Sequence, residues 1–76
     1  MSERLPVLKA GEVIRILERS GFYIHHRTGS PVQMKRKEKP DIRITIPFHA
    51  GDLPRSLLRT ILKQAQLSLE EFNALR

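Results

Sequence analysis

One short run limits the folds open to this chain more than any other: Gly21-Phe22-Tyr23-Ile24-His25-His26-Arg27-Thr28-Gly29-Ser30-Pro31. A helical pattern stops at its first residue and a period-two pattern starts at its second. The spacing before it predicts a helix over about Ala10 to Arg19. Val13, Ile14 and Leu17 share one face there, while Glu12, Arg15 and Arg19 lie away from it. Ser20-Gly21 ends that helix, because glycine adopts the left-handed backbone without a Cβ clash.

From Phe22 to Arg27 the chain alternates. Phe22, Ile24 and His26 are expected on the core side, with Tyr23, His25 and Arg27 on the opposite side. Thr28-Gly29-Ser30 has hairpin-turn chemistry, and Val32, Met34 and Arg36 alternate with Gln33 and Lys35 beyond it. An antiparallel hairpin follows from these features. On a three-residue turn, Arg27 would lie opposite Pro31 and His25 opposite Gln33. His25 would then be a diagonal neighbour of position 31, about 7–8 Å away between Cα atoms.

The clearest strand signal is Ile42, Ile44 and Ile46, with Arg43 and Thr45 outward. Lys37 to Asp41 is a polar connection, and Pro47 ends the third strand ahead of a loop at Phe48 to Asp52. Pro54 suits the first residue of a second helix, in which Leu57, Leu58, Ile61, Leu62 and Ala65 form the apolar stripe through about Gln66. Arg55, Arg59 and Lys63 recur every fourth residue and stack as a basic ridge on its other side. Ser68 and Glu71 have the spacing of a capping box, opening a short last helix with Phe72 and Leu75 inward. Met34, Phe48 and Phe72 read as core. Three strands with one apolar face need a cover, and helices from both ends of the chain can supply it. The expected fold is α+β, a two-layer sandwich ordered α-β-β-β-α with a further short helix.

With 76 residues, the chain is expected to form one domain over 1–76, too small to enclose a large cofactor or a deep small-molecule site. It has no cysteine, which excludes disulfides and thiolate metal sites. No apolar run is long enough to span a bilayer, and residues 1–6 lack the apolar core of a secretory signal. A cytoplasmic protein without membrane contact is the expectation. The net charge of +6 favours an anionic partner, nucleic acid first.

The order Gly21-Phe22, Arg27-Thr28-Gly29-Ser30, Ile46-Pro47-Phe48-His49 and Leu57 to Ala65 resembles the HicA-like toxins, from about Lys9 to Phe72. These are small mRNA interferases of toxin–antitoxin pairs. The resemblance implies a fold like the double-stranded RNA-binding domain, an mRNA target, endoribonuclease activity and a HicB-like antitoxin partner. It also implies a catalytic histidine directly after the Gly-Ser pair, and here Pro31 stands in that place. A second departure is Arg55-Ser56, where many members have Gly-Thr. The alternative is a catalytically inactive member acting as an RNA- or protein-binding module.

Metal-free RNA cleavage needs a base and an acid, and histidine suits both roles near neutral pH. His25 is either a displaced base or an exposed strand histidine. His26 is expected near the helix side, partly buried. His49 either shapes its loop or contacts phosphate or the antitoxin. The histidine spacings match no metal motif, and no metal or other cofactor is expected. The expected RNA contacts are Tyr23 by stacking, with Arg27, Lys35, Arg43, Arg55, Arg59 and Lys63 on the backbone. The competing readings of those cations are a solvated face or a surface for an acidic protein.

Overall fold

The computed structural model describes residues 5, 7–26, 31–48 and 51–76. It is an α+β fold: helix α1 (Ala10–Arg19), strands β1 (Phe22–His26), β2 (Val32–Arg36) and β3 (Arg43–Ile46), then helices α2 (Arg55–Ala65) and α3 (Leu69–Ala74). The strands form one antiparallel sheet in the order β1-β2-β3. The arrangement is the α-β-β-β-α order of the double-stranded RNA-binding domain, with α3 added.

Helix α1 begins where Glu12 Oε1 accepts the Lys9 backbone N–H at 3.0 Å. It buries Ala10, Val13, Ile14, Ile16 and Leu17. Its end needs Gly21, which sits at φ +102°, a conformation that other L-residues seldom take. The Gly21 carbonyl then accepts the Lys37 backbone N–H, so the same residue that stops the helix closes the base of the hairpin.

The alternation of β2 and β3 is realised in full. Val32, Met34, Ile44 and Ile46 are sealed from solvent against the helices, and Phe22 joins them from β1. Burying each such side chain contributes about 1.5–3 kcal/mol. Among the described residues the core contains no buried polar side chain. Ile42 is buried ahead of the strand, and its carbonyl accepts the Arg36 N–H, but ladder pairing starts one residue later than the alternation suggests.

Pro54 is the cap residue rather than the first helical residue of α2. That helix ends with Gln66 in the left-handed region at φ 58° and the Leu67 N–H on the Leu62 carbonyl. The turn leads directly into α3, whose capping box is present in both halves. Glu71 N–H donates to Ser68 Oγ at 3.0 Å, and Ser68 N–H donates to Glu71 Oε1 at 2.9 Å. The Ser68 backbone N–H first, and then the Ser68 side chain, hold the Glu71 carboxyl below its usual range, with a smaller contribution from the Arg36 charge. Phe72 is fully buried, and Arg19 donates to the Leu75 carbonyl at 2.8 Å, tying α3 to α1.

One more feature departs from sequence expectation. Phe48 is not core: it is 40% exposed. It follows Pro47 at the end of β3, where the chain leaves the sheet and alternation no longer sets its side. Just ahead of α1, Leu8 is buried and its carbonyl accepts the Leu53 N–H at 2.8 Å. Lys9 and Asp52 bridge beside it, joining the start of α1 to the loop before α2.

Candidate nucleic-acid interface

The sheet face turned away from the helices holds two cross-strand rows. Tyr23, Lys35 and Arg43 lie opposite one another in the first, and His26, Gln33 and Thr45 in the second. With strands about 4.8 Å apart, each row spans about 10 Å. None of the three strands contains a carboxylate.

Lys35 and Arg43 form a directly opposed pair of like charges. The neighbouring Thr45 backbone N–H points outward, to Gln64 Oε1 at 3.3 Å, so the Gln33–Thr45 pair is not hydrogen-bonded across the ladder. Lys35 and Arg43, two residues along, are the same kind of pair, with Cβ atoms about 5 Å apart. Like charges so placed destabilise a sheet, and a bound anion relieves them.

The register between β1 and β2 changes between Ile24 and His26. This corrects the simple alternation. His26, not His25, is the partner of Gln33, and His25 is the extra residue of a β-bulge. A bulge lets two residues of one strand oppose one of the other, so strict period two cannot be carried across it. His26 consequently is exposed and leaves the helix side on which alternation put it. His25 stays on the open face. It lines a shallow concavity of about 190 Å³ with Gln33, Lys35, Arg43 and Thr45 over Met34 and Ile44. That volume is below the range of ordinary small-molecule pockets, so the feature works as part of a surface.

Pro31 is exposed and directly precedes β2. Its ring offers no proton and no N–H. Arg27 and His49 lie outside the described residues, as do Thr28, Gly29 and Ser30. Among the described residues no three His, Cys, Asp or Glu side chains group in a way that would hold a metal ion. No helix among them is long and apolar enough to cross a membrane.

Arg55, Arg59 and Lys63 are exposed on α2 as the four-residue spacing requires, but they do not join the sheet-face cations. They stand on the helical layer, along a groove of about 930 Å³ whose other lining residues are Leu5, Leu62, Leu67 and Leu69. Sequence reasoning placed Leu62 in the apolar stripe of α2 and missed Leu5, Leu67 and Leu69. Their signal was weak: Leu67 and Leu69 bracket the Ser68 cap, and only the left-handed turn at Gln66 brings them beside α2. It also missed Gln64, which covers the outer edge of β3.

The family model described as the HicA toxin of bacterial toxin–antitoxin systems matches residues 10–67. The match runs from the first residue of α1 past the end of α2 and covers well over half of the chain. No curated protein matches it.

Proposed function

The chain belongs to the HicA toxin family, and from that premise we propose that it acts on mRNA in the cytoplasm through the open face of its sheet, held in check there by a HicB-like antitoxin. The observation that carries the RNA assignment is the opposed Lys35–Arg43 pair, flanked by Tyr23 and free of carboxylates across all three strands. Duplex and structured RNA is recognised chiefly through phosphates and 2′-hydroxyls, and two adjacent cations match adjacent phosphates. Tyr23 supplies a ring for an unpaired base at the end of that row.

The chemistry open to such a face is strand scission without a metal. A base takes the proton of a 2′-hydroxyl, the 2′-oxygen attacks phosphorus, and the 5′-oxygen leaves with a proton from an acid. His25 carries the imidazole of the concavity and would be the base, with Lys35 and Arg43 beside the charged phosphoryl oxygens. A second reading rests on Pro31: the chain binds RNA without cutting it, because the position after Gly-Ser has no proton to exchange.

One experiment separates these readings. The purified protein, Pro31→His and His25→Ala are each incubated with a structured mRNA fragment, and binding and cleavage are followed together. Cleavage by the parent that His25→Ala abolishes, with affinity retained, supports the relocated base. An inert parent and an active Pro31→His support the second reading. A parent that does not bind RNA at physiological salt ends the RNA assignment itself.

A further inference from the structure

We infer that the groove between α2 and the leucines around α3 is a docking site for an acidic amphipathic helix of a protein partner, separate from the RNA-facing sheet. Its floor is aliphatic: Leu62 is buried at the base, and Leu5, Leu67 and Leu69 are half-buried along the walls. Its rim is cationic: Arg55, Arg59 and Lys63 are exposed along one flank of α2, and no carboxylate is among the described lining residues. Nucleic acid satisfies the rim alone. It has no aliphatic side chains to cover four leucines, whereas a protein segment carrying both chemistries satisfies rim and floor together.

The spacing selects a helix over a strand. Arg55, Arg59, Leu62 and Lys63 occupy positions i, i+4, i+7 and i+8 of α2, so charge and apolar surface lie on neighbouring parts of one helical stripe. A partner must meet them from neighbouring faces too. A strand puts alternate side chains on opposite faces, about 180° apart, but a helix can carry leucines beside carboxylates within one broad stripe. Carboxylates at i, i+4 and i+8 repeat every 6 Å or so, the interval at which the three cations of α2 repeat. The partner is therefore a helix with an acidic edge and an adjoining leucine-rich face. The inference stands on the groove alone and does not depend on RNA binding by the sheet.

The probe is a covalently stapled helix with Glu at i, i+4 and i+8 and Leu at i+3 and i+7, labelled for fluorescence anisotropy with the full chain. A second stapled helix has the same composition with Glu and Leu distributed around all faces. The first should bind at least about tenfold more tightly than the second, since only it meets rim and floor together. Arg59→Glu with Lys63→Glu should weaken it about tenfold or more and remove most of its salt dependence. Leu67→Asn should weaken it and leave the salt dependence in place. Lys35→Glu with Arg43→Glu, on the sheet, should leave it unchanged. Circular dichroism establishes that each variant is folded. Equal binding of the two peptides overturns the inference. So does loss of duplex RNA binding in Arg59→Glu/Lys63→Glu equal to that in Lys35→Glu/Arg43→Glu, which would make the ridge an RNA surface. Self-association of the parent that Arg59→Glu/Lys63→Glu abolishes also overturns it, because the groove's occupant is then a second copy.

Discussion

The open sheet face and the flank of α2 both carry cations and differ in what lies between them. On the sheet, Lys35 and Arg43 are separated by nothing but the strand spacing, and their neighbours Tyr23, Gln33, Thr45 and His25 are polar or aromatic. On α2, Arg55, Arg59 and Lys63 border leucines. A net positive charge points to an anionic partner without naming its class. The surface between the charges discriminates: polar and shallow for a sugar–phosphate backbone, aliphatic and grooved for a protein helix.

The contrast can be broken most forcefully through Phe72, which anchors α3 and so the Leu69 wall of the groove. Phe72→Ala should cost about 3–5 kcal/mol in urea unfolding. At temperatures where the variant remains folded, peptide binding should fall while RNA binding persists. A stability loss under about 1 kcal/mol would mean that α3 is only loosely held. A smaller but more selective effect is expected from Lys35→Glu with Arg43→Glu, which should lower RNA affinity at least tenfold. It should also reduce the slope of log affinity against log salt by roughly 0.7–0.9 per lost phosphate contact. An equal loss from reversing Arg55 and Arg59 would erase the distinction between the two surfaces.

Ser68→Ala removes one half of the capping box and should destabilise α3 by about 1 kcal/mol, seen as faster amide exchange from Glu71 to Ala74. The smallest effect is that of acid. Glu71 has a lowered folded-state pKa, so its contribution is complete above the ordinary carboxylate range and disappears as pH falls through the folded value. Exchange in α3 should accelerate on acidification in the parent, and Glu71→Gln should flatten that response. Unchanged acid sensitivity in Glu71→Gln would place its origin in another carboxylate.

Local chemistry made much of the fold legible. The isoleucine alternation of β3, the stripe of α1, the glycine stop at Gly21 and the Ser68–Glu71 box each rest on residues within a few positions of one another. Of the interface, Tyr23, Lys35 and Arg43 were readable because uninterrupted pairing preserves period two from Tyr23 to Ile24 and throughout β2 and β3. The histidines were harder. A one-residue bulge at His25 hands the Gln33 pairing to His26, and nothing in His25-His26 announces a bulge. Phe48 was misplaced because apolar character predicts burial only while an element holds the residue against the core.

The sequence by itself determined the order of elements, the family and the carboxylate-free strands, since all three are written in residue type and near-neighbour spacing. Tertiary structure alone decided what lies beside the cations of each surface. Residues 35 and 43 become neighbours through strand pairing, whereas residues 5, 62 and 69 meet around a groove only when the turn at Gln66 brings the start of α3 beside α2. Such contacts depend on how packed elements face one another, and no local pattern along a chain carries that information.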